Sequence, residues 1–251
     1  MLPPVADVAF PDWATIEDET FLEIPKPAKA PDLRWDFSPG RRFGHEMTQT
    51  ITQRIEQQKG EKTVAMDARD RNRGTFEFLA GKDQTALVVL KIHTEEAFRN
   101  GIAATRAELD KNPPSRFDAV AKEDGTAEIK KPPDRADAAF FFDAVLAPAE
   151  GERKLKDGWV RTRAAGFAKV GRYECVRLES EFEFAPKAAL GATLQRGRTV
   201  AWFALAERRF VRASSTVVTS TRTKARGPEG AWVVSKVDSR TAIRIKLVEN
   251  P

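Results

Sequence analysis

A tryptophan-containing segment, a glycine turn and a long alternating stretch occur in this order twice in the chain. The two copies are residues 33–55, with Trp35 and Gly40, and residues 158–184, with Trp159 and Gly171. Glycine reaches the backbone angles that tight turns between strands need. Apolar residues at every second position are typical of a strand with one buried face. The repeated order therefore predicts two antiparallel β-meanders, each opened by a tryptophan-bearing strand.

The first alternating stretch fits two periodicities. Its apolar residues recur every four positions, as on one face of a helix, but Gly44 and the β-branched residues Thr48, Thr50 and Thr52 favour a strand. In a strand, alternate side chains share a face. That face carries Phe43, His45, Met47, Gln49, Ile51, Gln53 and Ile55. We therefore interpret residues 43–55 as a strand whose apolar face has polar side chains interspersed.

The second alternating stretch changes parity. Tyr173 and Cys175 lie at odd positions, whereas the apolar residues that follow lie at even ones: Val176, Leu178, Phe182 and Phe184. One extra residue in a strand turns the apolar set to the other face, so we expect a β-bulge near residues 175–176 and a curved sheet. Residues 199–205, 210–222 and 231–248 continue the strand pattern.

A different pattern occupies residues 94–148. Thr94 is a suitable N-cap for a helix whose apolar stripe includes Phe98, Ile102 and Leu109. The pair Asp124-Gly125 predicts a hairpin turn, and residues 137–146 predict a second, short buried helix. We expect this insertion to fill or cover the concave side of the sheet.

These patterns define the fold class and the organisation of the chain. We expect a mainly β protein with a minor α component, in which a curved antiparallel sheet forms a half-barrel or a two-lobed β-sandwich with a short helical insertion. The expected division is a Pro-rich extended arm with one short strand near residues 20–24, a first meander, the helical insertion with its hairpin, and a second meander: residues 1–31, 32–93, 94–148 and 149–251. Residues 32–251 are expected to form one compact unit.

The distribution of basic residues argues against a nucleic-acid partner. The net charge is +5, but the basic residues are spread along the chain and alternate on strands, as Arg69, Arg71 and Arg73 do. Aromatic residues do not accompany them as they do on a nucleic-acid platform. We therefore expect no nucleic-acid partner. No run of about 18 apolar residues occurs, so we expect no transmembrane segment.

Motifs for catalysis and metal binding are missing from the sequence. The two histidines, His45 and His93, do not form a His-Glu-x-x-His motif. Neither a Gly-x-Ser-x-Gly elbow nor a phosphate-binding glycine loop is present. The single cysteine, Cys175, lies in a strand-like run that favours a small buried hydrophobe. We expect no catalytic residue, no metal and no cofactor, and a protein that is not an enzyme.

The mixed face of the first long strand is the best candidate for a binding surface. His45 and Gln49 offer hydrogen bonds beside apolar neighbours, which is the usual make-up of a ligand pocket. The candidate lining residues are Phe43, His45, Met47, Gln49, Ile51, Phe182 and Phe184. The alternative is that the same residues fill a closed core.

The order of elements carries a resemblance. The residues behind it are the run from Leu33 to Gly40, the Thr/Gln-rich residues 47–55, Gly158-Trp159, and the strands that end at Val248. In these features the chain resembles a class of uncharacterised bacterial envelope proteins, lipoproteins among them, and more distantly the LolA-type lipoprotein carriers. The resemblance implies an extracytoplasmic location, in the periplasm or at the cell surface, with an export signal outside this sequence. It also implies a lipid or another apolar small molecule as the ligand.

Two other classes of function are kept as alternatives. The first is a protein-interaction or scaffold module of the cell envelope, which would dock a partner protein through a sheet edge or through the Pro-rich arm. The second is an enzyme of unfamiliar type, which would bring His45, Cys175 and carboxylates together in one cleft.

Overall fold

The computed structural model describes residues 5, 7–16, 20–111, 114–131, 147–188, 190–226 and 232–248. Fourteen antiparallel strands within these ranges form one sheet, which curves but does not close. The strands are β1 (Leu22–Glu23), β2 (Arg42–Lys59), β3 (Lys62–Ala80), β4 (Thr85–Arg99), β5 (Ile102–Ala103), β6 (Ser115–Lys122), β7 (Ala127–Lys131), β8 (Gly151–Leu155), β9 (Gly158–Val170), β10 (Tyr173–Phe184), β11 (Lys187–Ala188), β12 (Gly191–Ala204), β13 (Arg209–Arg226) and β14 (Trp232–Val248). The predicted fold class, a mainly β protein with a curved antiparallel sheet, is confirmed.

The sheet consists of two meanders joined side by side. Its spatial order is β1-β9-β10-β12-β13-β14-β2-β3-β4-β6-β7. The last strand, β14, pairs with β2 along almost its whole length, from Val233 opposite Lys59 to Val248 opposite Gly44. Short segments line one edge, because both β1 and β8 pair with β9.

Register shifts interrupt four ladders and add to the curvature. Between β9 and β10 the register shifts at Arg177 and Leu178, which pair with Gly166 and Ala164, so the extra residue is Ala165 of β9. The bulge predicted within β10 near residues 175–176 is therefore wrong, because β10 pairs with β12 in unbroken register there. The other shifts lie between Arg71 and Asn72, between Asp118 and Ala119, and between Trp202 and Phe203.

The core sits at one end of the sheet, around Trp35. This ring is 1% exposed and stacks on Phe78 at 5.1 Å, with Phe37 and Phe43 beside it. Phe203 and Phe210, from the other meander, meet Trp35 edge-on. Aromatic rings dominate core energetics because each buries a large apolar area. The two meanders therefore share one core.

The segment that carries Trp35 is not a strand, and this part of the sequence prediction is wrong. Trp35 N–H donates to the carbonyl of Glu123 at 2.7 Å, and Asp36 N–H donates to the carbonyl of Arg208 at 3.0 Å. Its backbone thus joins the β6–β7 turn to the β12–β13 turn instead of entering the sheet. The two glycine turns are as predicted, with φ of +84° at Gly40 and +59° at Gly171.

The helix predicted from Thr94 is also wrong. Residues 94–99 continue β4 and pair with β3, which satisfies their backbone groups, and positive φ angles at Asn100 and Gly101 then break the chain direction. Helical structure is confined to α1 (Arg106–Leu109) among residues 94–111, where Thr105 is the N-cap and Glu108 completes a capping box.

The hairpin predicted around Asp124-Gly125 is present. It joins β6 to β7, and Gly125 has a φ of +84° in the turn. The second predicted helix, residues 137–146, lies outside the described residues. The proposed division of the chain into an arm, two meanders and an insertion stays a prediction.

The N-terminal arm lies against the sheet. Phe10 packs on Trp159 with the rings 6.0 Å apart, and the Arg198 guanidinium lies over both Phe10 and Trp13. The short strand expected near residues 20–24 is β1, which pairs with β9.

Close packing in the sheet leaves no space for a side chain at Gly197, which a mutation can test. A Cβ atom at this position would lie 2.1 Å from Cζ of Phe182, a ring that is 1% exposed and would have to shift within the core. We expect Gly197→Ala to lower the free energy of unfolding by about 1–3 kcal/mol, as overpacking in a core usually does. Urea denaturation followed by tryptophan fluorescence measures this change.

Gly166→Ala is the matched control, because Gly166 also lies within a strand but a Cβ there meets nothing within 4 Å. We expect it to change stability much less. Equal losses in the two variants would contradict the predicted clash.

Candidate functional site

The two faces of the sheet differ in character. We call the face that carries Trp35 and the core the inner face, and the opposite face the outer face. On the inner face, cross-strand partners form a continuous row over seven strands: Thr162, Ser180, Thr199, Ser215, Ile243, Gln49 and Asn72. This row divides the inner face into two halves.

On one side of the row, the inner face is closed by packing. Phe43, His45 and Met47 are all buried there. Phe43 stacks on Phe78 at 4.8 Å, and a methyl group at Gly74 would already lie 3.0 Å from Cε of Met47. These three predicted lining residues therefore belong to the packed core, and their role in binding stays a prediction.

His45 is the most deeply buried titratable side chain of this half. It is 2% exposed, and its Nε2 lies 2.8 Å from the carbonyl oxygen of Phe210. Because a carbonyl only accepts, Nε2 carries the proton of the neutral ring. Burial lowers the pKa of His45 from 6.5 to about 4, the bond to Phe210 opposes this, and the nearby Arg209 adds to it. His45 is therefore a neutral structural group near pH 7.

The row itself is polar and paired across neighbouring strands. Thr162 and Ser180 hydroxyls lie 2.8 Å apart, and the Thr199 hydroxyl donates to Ser215 at 2.9 Å. Further along, Nδ2 of Asn72 donates to Oε1 of Gln49 at 2.8 Å.

One acceptor in the row is unsatisfied. Asn72 is 8% exposed, and its Oδ1 is buried with no hydrogen-bond partner among the described residues. A buried acceptor without a partner costs about 1–3 kcal/mol, so proteins rarely leave one unpaired. This atom is available to accept a hydrogen bond from a bound molecule.

On the other side of the row, the inner face carries no charge over four adjacent strands. The residues are Thr193, Gln195 and Gly197 of β12, Val217, Thr219 and Thr221 of β13, Val237, Ser239 and Thr241 of β14, and Ile51, Gln53 and Ile55 of β2. We call this surface the uncharged face. Apart from buried Gly197, all of these residues are half-buried.

The outer face of the same strand segments is charged. It carries Arg196, Arg198, Arg222, Lys236, Asp238, Arg240, Arg54 and Glu56. In a chain that is 31% charged, side-chain alternation has placed every charge of these four strand segments on one side.

The predicted lining residues thus fall into two groups. Gln49, Ile51 and Phe184 border or belong to the uncharged half of the inner face and are half-buried, whereas Phe182 is buried against Gly197. Sequence reasoning missed the contributions of β12 and β13 and the role of Asn72. The alternation of Thr241 and Ile243 was a signal for β14, but the sequence does not reveal that β14 lies beside β2.

His45 and Cys175, two groups that an enzyme could use, are both buried. Cys175 is fully buried, and burial, helped by the charge of Glu207, raises the pKa of its thiol to about 12. Among the described residues, no three His, Cys, Asp or Glu side chains are grouped as a metal ion would require. No helix in the described part of the chain is long and apolar enough to cross a membrane.

Burial of neutral His45 makes stability depend on pH. Between pH 6.5 and about 4 the unfolded chain takes up a proton on this ring that the folded chain does not, so stability falls as the pH falls through this window. The loss for the single group is at most about 3 kcal/mol. Urea denaturation at a series of pH values measures it.

His45→Gln should flatten this dependence, although it lowers stability at every pH. His93→Gln is the control, because the side chain of His93 is 50% exposed. A pH dependence that His45→Gln leaves unchanged would contradict the assignment.

Cys175 should behave as an inert thiol. A buried group with a pKa of about 12 carries almost no thiolate at pH 8, and the thiolate is the reactive form. We expect Ellman's reagent to label the folded protein far more slowly than the urea-unfolded protein. Rapid labelling without denaturant would show that the thiol is accessible.

No family model matches the sequence, and the search of curated proteins found no significant match. Among solved structures, the chain is similar to lipovitellin, described for its lipid–protein interactions, with 12% identity and a TM-score of 0.44. That match covers 85% of this chain and 26% of the lipovitellin chain, so this chain spans about a quarter of that protein.

Two further matches are weaker. A DUF1329 family protein from Desulfovibrio piger has 11% identity and a TM-score of 0.18, with 82% of this chain and 85% of that chain covered. The translocator domain of the autotransporter NalP from Neisseria meningitidis has 7% identity and a TM-score of 0.20, with coverages of 79% and 88%. At these identities and TM-scores, none of the likenesses identifies a ligand or a family for this chain.

Proposed function

We propose that this protein is a non-catalytic binding protein of the cell envelope, located outside the cytoplasm, that holds an apolar or amphiphilic ligand against the uncharged face. One observation carries the proposal: segments of four adjacent strands, residues 193–197, 217–221, 237–241 and 51–55, present uncharged side chains on one side and place all their charges on the other. The aliphatic side chains of this face, Ile51, Ile55, Val217 and Val237, contribute about 25 cal/mol per Å² of apolar area that a ligand removes from water. Its Thr, Ser and Gln side chains can hydrogen-bond the polar part of an amphiphilic ligand.

The polar row at the border of the uncharged face defines the ligand further. Within the described part of the chain, Asn72 Oδ1 is a buried acceptor without a partner, so it suits a ligand hydroxyl or amide that donates a hydrogen bond. The hydroxyls of Thr199 and Ser215 lie in the same row. A ligand with an apolar body and one neutral donor group therefore fits this surface best.

The position of the N-terminal arm argues against the alternative function, in which the arm docks a partner protein. A docking arm would extend from the sheet, but residues 8–16 lie on the outer face, where Arg196 donates to the carbonyl of Val8 at 2.7 Å and Arg198 donates to that of Pro11 at 2.9 Å. Residues 8–16 of the arm therefore already bind β12 of the same chain. We favour the ligand-binding function over docking through the arm.

Placing a carboxylate on the uncharged face tests the proposal. Gln53→Glu keeps the shape of the side chain and adds a negative charge. Thr241→Glu adds a negative charge on the neighbouring strand. We expect each to weaken binding of the apolar fluorescent probe N-phenyl-1-naphthylamine by about tenfold or more, because a carboxylate loses its hydration beneath an apolar ligand. Fluorescence titration gives the dissociation constants.

Ala242→Glu is the matched control, because Ala242 follows Thr241 on the same strand and is exposed on the outer face. It should leave probe binding unchanged, and thermal melts verify that all three variants fold. Equal affinity in all variants, or no saturable binding to the wild-type chain, would rule the proposal out.

Native mass spectrometry of the protein purified from its own envelope would show whether a lipid is carried along. The predicted insertion offers another occupant of the inner face, and deleting residues 137–146 separates the two cases. Stronger probe binding after the deletion would mean that this segment competes for the face, whereas unchanged binding leaves the ligand as the occupant.

A further inference from the structure

A groove on the outer face opens where β13 and β14 separate. Their ladder begins at Arg212 opposite Lys246, whereas Arg209 and Phe210 pair only with β12. At this point two cavities adjoin, with volumes of about 240 Å³ and 490 Å³, and Arg212, Lys246 and Glu46 line both. We call the two cavities together the Lys246 groove. It lies on the opposite side of the sheet from the uncharged face.

Part of the groove wall is apolar. Phe21, from the arm, meets Trp202 edge-on at 5.1 Å and forms one wall of the smaller cavity. The larger cavity is lined by Val170, Tyr173, Val211, Leu247 and Val248. A volume of 490 Å³ lies within the range of small-molecule sites, and 240 Å³ equals the space of about eight water molecules in the liquid.

Positive charge is concentrated at the smaller cavity. Four basic side chains line it, Arg73, Arg212, Arg244 and Lys246, against one carboxylate, Glu46. Arg73 also faces Glu95 at 3.5 Å, and the Arg212 guanidinium lies 5.6 Å from the centre of the Phe21 ring. Lys246 is exposed and forms no salt bridge within the described part of the chain. The smaller cavity therefore brings an exposed ammonium group and three guanidinium groups beside aromatic side chains.

We propose that the Lys246 groove is a second binding site, which takes the compact anionic head of an amphiphile, a phosphate or a carboxylate, and its apolar tail. Arg212 and Lys246 are cross-strand neighbours at the junction of the two cavities, so the head lies between them and the tail follows the aliphatic wall. Charge-assisted hydrogen bonds from guanidinium and ammonium groups are the stronger kind and suit such oxyanions. The site is independent of the proposed function.

The experiment compares molecules that share one tail. Isothermal titration calorimetry at low salt is carried out with decyl phosphate, decanoate and decanol, each below its aggregation concentration. Because decanol also fits the uncharged face, the comparison uses the Gln53→Glu protein, in which binding to that face is weakened. We expect both anions to bind this protein and decanol to bind at least about tenfold more weakly, since a charged hydrogen bond outweighs a neutral one. Added salt should weaken the anions but not decanol. The relative affinity of decyl phosphate and decanoate identifies the preferred head.

Lys246→Gln removes one cation and is expected to lower the affinity for decyl phosphate by about tenfold. Lys236→Gln is the matched control, because Lys236 lies on the outer face of the same strand but outside the groove. Gln53→Glu, on the inner face, should leave decyl phosphate binding unchanged, which separates this site from the uncharged face.

Three results would overturn the proposal. They are equal affinity for decanol and decyl phosphate, binding that Lys246→Gln and Lys236→Gln weaken alike, and the absence of saturable binding of either anion below about 1 mM, a weak affinity for any specific site. Loss of decyl phosphate binding in Gln53→Glu would place the anion on the inner face and would equally overturn it.

Discussion

The pairing of β14 with β2 is the constraint on which the rest of this structure depends. It joins the first and last long strands of the chain, and it places Met47 beside Ile245, Gln49 beside Ile243, and Ile51 beside Thr241. A shift by one residue would turn every side chain of one meander to the other face. The common core, the polar row and the uncharged face all require this register, because each of them crosses from β14 to β2.

The core also requires a segment that is not part of the sheet. Trp35 reaches it from an irregular stretch that is hydrogen-bonded to turns of both meanders. Since this stretch fills only one end of the inner face, the other end is left with half-buried side chains. One end of the same strands therefore serves packing, and the other is the proposed binding surface. Where the packing stops, the polar row between them pairs neighbouring hydroxyl and amide groups, and among the described residues it leaves Oδ1 of Asn72 without a partner.

Much of the local structure could be predicted from the sequence. The glycine turns at Gly40 and Gly171, the hairpin at Gly125 and the alternation of β2 depend on neighbouring residues, and all are present. Residues 94–99 and Trp35 were misassigned because tertiary partners decided their conformation. A capped amphipathic pattern fits a helix, but pairing with β3 satisfied the same backbone groups in an extended form. Similarly, Trp35 binds turns that are distant in sequence.

For the candidate site, the sequence predicts which residues of a strand share a face but not which part of that face is packed. Alternation correctly placed Phe43, Met47 and Ile51 on one side of a strand, but nothing within that strand distinguishes its packed end from its open end. That difference comes from the residues opposite: Phe78 beside Phe43, and Thr241 beside Ile51. Similarly, the Lys246 groove depends on where β13 and β14 part, which is a property of two strands and not of either sequence segment.

The short segments along β9 have a consequence for how copies of this chain meet one another. β8 covers one end of that strand and β1 covers the other. Between them, the side chain of Glu150 accepts the N–H of Ala164 at 2.7 Å, and Ile24 donates to the carbonyl of Phe167 at 3.0 Å. An uncovered outer strand would offer a row of backbone groups to a second molecule and invite fibre-like stacking. Here those groups of β9 are already used, so this edge of the open sheet offers a second molecule only the short strands β8 and β1.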